Sequence, residues 1–344
     1  MTGEAAPFGD WPRDELEAVP RCPLCESRER TLLHDRLRDL LFGRAPGLWT
    51  LHRCRGCAAG YLDPRPIAAS IGRAYGGYYT HDRTPPDEAP GGRWKLALQN
   101  GYLNRRYGYA ARPAIPLPGP LFTARLRRKA DRSIRHLRRP GESDPRLLDL
   151  GCGNGSFLAR MQRLGWEGVG LEPDRQAVLA ARSAGLPVEH GVLTDSRFPP
   201  ASFEAVTMNH VIEHLHDPAG MLALCHRVLR PGGLLWIATP NLDSLGHSRF
   251  GPSWRALEPP RHVVLFTLDA LRGALRRAGF EAAAPLTGTG ARWMYRSSAR
   301  LRIGDRPLSA LERLREKWLA HQADRQARRQ PELAEELVLL ARRP

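Results

Sequence analysis

The sequence predicts an α/β protein: a doubly wound, mostly parallel sheet, a small cysteine-punctuated module ahead of it, and helical additions around it. Three observations carry this reading. From Pro145 onward short apolar strands alternate with helix-length amphipathic segments, the pattern of a parallel sheet covered on both faces. The first of those strands runs into a turn with glycine at every second place, Gly151, Gly153 and Gly155. Nearer the N-terminus, two C-x-x-C pairs stand in a short stretch rich in turn formers.

At 344 residues and 42% hydrophobic composition, the chain suits two domains or one large domain with appendages. Its formal net charge is +16, and of its 52 basic residues only Lys95, Lys129 and Lys317 are lysine. So lopsided a ratio reads first as arginine bias on a solvated surface; attraction to nucleic acid, a phosphorylated substrate or a membrane surface is the functional alternative. No run of about 18 apolar residues offers a membrane span. The acidic, proline-containing start lacks the basic-then-apolar layout of a secretory signal, so a cytoplasmic location is expected. In that setting the six cysteines are expected to be metal ligands or structural thiols rather than disulfides.

In chain order, residues 1–20 read as a flexible lead-in and 21–63 as the cysteine module. Residues 64–140 hold a tyrosine-glycine cluster, Tyr75 to Tyr79, a proline-rich linker and helices expected to pack near a substrate cleft. The first helix is expected over Arg93–Ala111, burying Trp94, Leu96, Leu98, Leu103 and Tyr107. The second, basic helix is expected over Leu121–Arg139, ended by Pro140-Gly141. Residues 141–344 form the α/β domain. Its strands are expected at Leu147–Leu150, Gly168–Leu171, Pro187–His190, Phe203–Met208, Leu234–Thr239 and Glu336–Leu340. Helices are expected at Ser156–Leu164, after Pro173, at Pro218–Leu229 and at Thr267–Ala278, with a helical insertion at about 293–328.

The glycine turn lets backbone amides approach a ligand closely at the mouth of a helix. Glu172, at the tip of the next strand, is placed where an acid of a nucleotide-binding unit accepts hydrogen bonds from ribose hydroxyls. The spacing G-x-G-x-G, preceded by Asp149, differs from the G-x-G-x-x-G of pyrophosphate binders. It resembles the first motif of class I S-adenosylmethionine (SAM)-dependent methyltransferases, whose fold is Rossmann-like. The resemblance continues through Ser202-Phe203-Glu204-Ala205-Val206, then Val211-Ile212-Glu213-His214-Leu215-His216-Asp217-Pro218, then Leu229-Arg230-Pro231-Gly232-Gly233. It implies SAM as cofactor, with Asp149, Gly151, Gly153, Asn154, Gly155, Glu172 and Asn209 in its site. Relatives often carry an adenine-contacting acid directly after the glycine matching Gly191; Val192 stands there, and Asp195 is the candidate replacement.

Cys22, Cys25, Cys54 and Cys57 form two C-x-x-C pairs separated by 28 residues, a spacing that brings four thiolates to one closed, structural Zn²⁺ centre. Cys152 and Cys225 are expected as packing residues. A four-cysteine module ahead of a SAM domain is similar to a bacterial group that includes sugar C-methyltransferases. That resemblance implies a small-molecule acceptor, such as a nucleotide-linked or lipid-linked sugar.

Methyl transfer often needs a base for the acceptor proton. His210, Glu213 and His214 follow the fourth strand, at the sheet edge where ligands bind. His262 lies in the loop Trp254–Thr267 and matches the active-site histidine of the sugar C-methyltransferases, with Phe266-Thr267 as the closing pair. Pro259 and Arg261 replace the tyrosine and glutamate of their motif. Arg261 is a candidate anchor for an anionic substrate; Tyr78, Tyr79 and His81 are candidate cleft residues. Two alternatives are an RNA methyltransferase, though no RNA-binding signature accompanies the basic helix, and a non-catalytic SAM-binding scaffold. Leu121, Phe122, Leu126, Ile134 and Leu137 on that helix either pack on the domain or lay it on an anionic membrane.

Overall fold

The computed structural model describes residues 10–75, 92–116, 122–139, 145–281, 284–286, 290–304 and 306–344. Its strands are β1 (Leu16–Glu17), β2 (Arg30–Leu37), β3 (Trp49–Cys54), β4 (Gly60–Leu62), β5 (Arg65–Pro66), β6 (Arg146–Leu150), β7 (Glu167–Glu172), β8 (Val188–His190), β9 (Phe203–Asn209), β10 (Leu229–Pro240), β11 (Val264–Leu265), β12 (Ala284–Leu286) and β13 (Glu336–Arg342). Its α-helices are α1 (Gly92–Tyr107), α2 (Ala124–Ser133), α3 (Ser156–Arg163), α4 (Arg175–Ser183), α5 (Pro218–Val228), α6 (Leu245–Phe250), α7 (Leu268–Arg277), α8 (Ala291–Ile303) and α9 (Ala310–Ala327). The larger sheet has the order β12-β13-β10-β9-β6-β7-β8. β6 pairs parallel with β7, starting Arg146 against Glu167, and with β9, starting Leu147 against Ala205; β7 pairs parallel with β8. Strand order reverses between β6 and β9, a topological switch point of the sheet.

The chain forms two compact units that do not follow the linear boundaries drawn from the sequence. One comprises the described residues of Tyr79–Asn209, Leu224–Trp236 and Leu340–Pro344. Its core gathers Tyr102, Leu103, Phe122, Ile134, Leu137, Leu147, Leu158, Met161, Trp166 and Val188. Two expectations are corrected here. Helix α1 buries Ala97 and Gln99 to Leu103 instead of the aromatic first turn, and Trp94 is exposed. Gly101 decides this: a Cβ there would stand 1.9 Å from the carbonyl of Ile115, so the following segment crosses the helix at that glycine. The basic helix is shorter than expected, because Arg135 and His136 take left-handed backbone conformations after Ser133. Phe122, Ile134 and Leu137 are buried in the core and Leu126 is half-buried against it, so these apolar residues pack on the domain; Leu121 lies outside the described residues.

The other unit comprises the described residues of Met1–Tyr78, His210–Ala223 and Ile237–Leu339. Its core includes Trp11, Trp49, Leu51, Leu62, Leu242, Phe250, Trp254, Leu265, Met294 and Tyr295. The loop 254–267 contains a strand the sequence did not announce. β11 pairs antiparallel with β4, Val264 against Tyr61 and Leu265 against Gly60, and completes a sheet of order β11-β4-β3-β2. Gly60 leaves room for Leu242, whose Cδ2 would stand 2.9 Å from a Cβ there. The insertion divides into α8 and α9, the latter opened by a capping box of Ser309 and Glu312. No helix among the described residues is long and apolar enough to cross a membrane.

Candidate cofactor, histidine and metal sites

The glycine turn leaves β6 with three left-handed glycines: φ is +64° at Gly151, +55° at Gly153 and +76° at Gly155. Side chains rarely tolerate that conformation, which explains glycine at alternate places. The three differ in what lies beside them. A Cβ on Gly155 would meet Leu186 Cδ1 at 2.5 Å, whereas one on Gly153 would meet nothing within 4 Å. Gly155 therefore serves packing, and Gly153 keeps the open side of the loop clear. Glu172, at the end of β7, accepts the Gly153 amide at 2.8 Å and the Asp174 amide at 2.9 Å. Its burial raises its pKa above the ordinary value.

Asp149 lies beneath the loop. It is fully buried, pairs with Arg135 and accepts the Thr207 hydroxyl at 2.8 Å; burial raises its pKa against the pull of Arg135. It is placed to hold the loop's footing rather than to face a ligand. Asn154 caps the first turn of α3 through the Ser156 amide at 3.2 Å, and Asn209 ends β9 half-buried. Asp195 is exposed, with Arg227 Nε 3.3 Å away, and Val192 is exposed as well.

In the other unit, His210 and Glu258 take left-handed backbone conformations that β-carbons disfavour, a form of strain often kept at functional positions. His210 bridges two carboxylates: Nδ1 lies 3.2 Å from Glu213 Oε1 and Nε2 2.7 Å from Glu336 Oε1. Burial opposes its charge, but the two carboxylates prevail and raise its pKa to about 10. Glu213 is fully buried and also accepts the Thr239 hydroxyl at 2.9 Å; burial would raise its pKa, yet His210 holds it at about 2. The two carboxylates therefore favour the charged form of His210.

His214 and His262 face each other with ring centroids 4.7 Å apart. Nδ1 of His214 lies 3.0 Å from the Arg261 carbonyl and 2.9 Å from Tyr75 Oη; Nδ1 of His262 lies 2.8 Å from the Ala256 carbonyl. Carbonyls only accept, so the Nδ1 of each ring carries a hydrogen. Burial, then the neighbouring His262, lowers the His214 pKa to about 4. Glu258 stands 4.0 Å from His262 Nε2. Ligand atoms of Glu213, His214 and His262 lie within 4.8 Å of one another. Each Glu213 oxygen also accepts one hydrogen bond, from His210 and from Thr239.

Arg261 is placed otherwise than an anion anchor requires. Its guanidinium is fully buried and bound to Asp39 and the Ala74 carbonyl. Tyr78, Tyr79 and His81 lie outside the described residues. Tyr75, Glu258, Glu336 and Thr239 escaped the sequence reading: Tyr75 was visible only as part of its aromatic cluster, and Glu336 meets His210 from 126 positions away.

The cysteines converge. Cys22 and Cys57 sulfurs are 3.6 Å apart, Cys25 and Cys54 sulfurs 3.5 Å, and all four lie within 4.8 Å. The two turns repeat one geometry: Glu26 and Ala58 amides donate to the Cys22 and Cys54 carbonyls, each at 3.0 Å, with φ of +60° and +65°. Zinc–sulfur bonds of about 2.3 Å in a tetrahedron put sulfurs roughly 3.8 Å apart, so the set fits that ion. None of these cysteines is in a disulfide.

The sequence pattern of the family described as "Methyltransferase domain" matches residues 122–284. A Mycolicibacterium smegmatis protein named as a probable S-adenosylmethionine-dependent methyltransferase is 34% identical over 137 residues, 39% of this chain and 51% of that one. A ubiquinone biosynthesis O-methyltransferase of Cereibacter sphaeroides is 33% identical over 148 residues, 40% of this chain and 60% of that one. The match thus spans about half to three fifths of the length of these relatives. A solved SAM-dependent methyltransferase from Archaeoglobus fulgidus is 18% identical, with a TM-score of 0.42 over 64% of this chain and 92% of that one. Family pattern, relatives and motif order agree: residues 122–284 match a methyltransferase domain and are similar to SAM-dependent methyltransferases.

Proposed function

We propose that the protein transfers the methyl group of SAM to a carbon or oxygen of a small-molecule acceptor, a sugar or secondary-metabolite intermediate. The observation that carries this reading is Glu172 gripping the amide of Gly153 while that glycine keeps its outer side clear. Backbone of Gly151 to Gly155 would embrace the methionine half of the cofactor and Glu172 the ribose. Asn209 and Asp195 are the further candidates, Asp195 for the adenine. Bound SAM supplies an electrophilic methyl; the remaining work falls to the chain.

His262 is the proposed base. Its Nδ1–H is committed to Ala256, which fixes the tautomer and leaves Nε2 to receive the acceptor proton. Glu258, 4.0 Å away, would stabilise the resulting imidazolium. His214, neutral through its lowered pKa, would orient His262, and Glu213 with His210 would brace the strand end. Tyr78, Tyr79 and His81 remain proposed acceptor contacts on sequence grounds. Cys22, Cys25, Cys54 and Cys57 would hold one structural zinc ion. An oxygen acceptor gains support from the Cereibacter relative's name. The test is incubation with SAM and a panel of nucleotide sugars, lipid-linked sugars and phenols, read as the mass gain of one methyl. Failure to bind SAM at all would overturn the reading.

A further inference from the structure

Helices α8 and α9 carry apolar side chains on two opposite faces. Met294, Tyr295 and Ala299 of α8 and Ala320, Ala323 and Ala327 of α9 are buried. At 3.6 residues per turn, Leu311, Leu314 and Trp318 fall within about 60° of one another on the side of α9 facing away from those alanines. They are 79%, 63% and 59% exposed. On α8 the same count puts Trp293, 57% exposed, with exposed Arg296 and Arg300 opposite the buried side. A six-residue link, Gly304–Ser309, makes the two an αα-hairpin, and they pack against each other.

The charges around this apolar stripe have one sign. Arg315, Lys317 and Arg325 are exposed on α9 beside it. The acids nearby are committed elsewhere: Glu312 to Arg306 and to the helix cap, Glu316 buried against Arg249. Past Trp318 on the same side, Gln322 and Arg325 join Gln326, Arg329 and Gln330 around a groove of about 580 Å³, lined by hydrogen-bond donors and two guanidinium groups.

We propose that the outer face of the α8–α9 hairpin docks on an anionic phospholipid bilayer. Leucine and tryptophan would enter the headgroup boundary, arginines would meet phosphates, and the groove would take a headgroup. The inference concerns the hairpin alone and holds whatever the methyl acceptor is.

The test is co-sedimentation of the full chain with vesicles of phosphatidylcholine alone or with phosphatidylglycerol. Binding is expected only to the anionic vesicles, and it should fall as salt rises to about 0.5 M, where screening shortens to a few ångströms. The double variant Leu314→Ala/Trp318→Ala, and independently Arg315→Glu/Lys317→Glu, should each cut the bound fraction about fivefold or more while circular dichroism and SAM affinity stay unchanged. Equal binding by wild type and both variants, or none to anionic vesicles at low salt, would overturn the proposal. So would a dimer in gel filtration that Trp318→Ala dissolves, since a second copy would then cover the face.

Discussion

Arg261 and Asp39 form an ion pair from which water is wholly excluded, both side chains being 0% exposed. Burial alone would raise the Asp39 pKa; Arg261, with the Ala45 and Arg44 amides, turns the shift downward. Breaking one side of such a pair strands the other, typically at about 3–5 kcal/mol. Asp39→Ala should therefore lower thermal stability sharply, whereas removal of a mere anion anchor would leave it intact. A variant with wild-type melting temperature would restore Arg261 as a substrate candidate.

Gly153→Val should weaken SAM binding by at least about 1.4 kcal/mol, tenfold, by filling the side of the loop that nothing else occupies. Glu172→Ala should do the same through lost hydrogen bonds, and should also loosen the Gly153 amide. Gly155→Val should instead damage the fold, because Leu186 lies where its side chain would go. Titration calorimetry beside thermal melts separates the two kinds of loss.

About one zinc ion per chain is expected by metal analysis. Cys25→Ser should release it and lower the melting temperature, since metal binding and folding are coupled in small metal-binding lobes. Carefully prepared protein without zinc would remove the assignment.

His262→Ala should cut turnover by roughly 100-fold or more if its Nε2 takes the acceptor proton, with SAM affinity unchanged. His262→Asn, keeping a polar contact without basicity, should be as inactive. Retained turnover per folded molecule would make His262 a packing partner of His214.

Acid should destabilise the fold between pH 6.5 and 4. His214 and His247 both have pKa values lowered to about 4, chiefly by burial, so the unfolded chain binds protons that the native state refuses. Their contribution is complete above 6.5 and is lost as pH falls toward 4. Glu335 works oppositely: burial raises its pKa to about 7, so its contribution is present below 4.5 and is lost as pH rises through 7. Melting curves across pH 4–8 should show the acid loss, His247→Gln should flatten it, and Glu335→Gln should gain stability relative to wild type mainly above pH 7. A pH-independent melting temperature would contradict these assignments.

Local pattern made the sheet legible. Glycine spacing and the alternation of strands with helices are short-range signals, and β6, β7, β8, β9, α3, α5 and α7 start within a few residues of where those signals put them. Long-range pairings left no such trace. Nothing near Arg261 announces Asp39, nothing near His210 announces Glu336, and the basic helix gave no sign that Arg135 would turn inward to Asp149. The histidines were visible as candidates, but their hydrogen-bond partners were not.

The pairing of Gly60 and Tyr61 with Leu265 and Val264 also sets an order of events at the ribosome. Synthesis at about 5–20 residues per second separates those partners by roughly 10–40 s. During that interval the nascent cysteine ribbon has β4 as a bare edge, able to pair with a neighbouring chain. A metal ion captured early would hold the two cysteine turns together through the wait, while the sheet itself stays unfinished until the histidine loop emerges. The N-terminal ribbon expressed by itself should accordingly be prone to self-association, and a linker graft at residue 64 would yield a fragment missing a strand rather than a portable module.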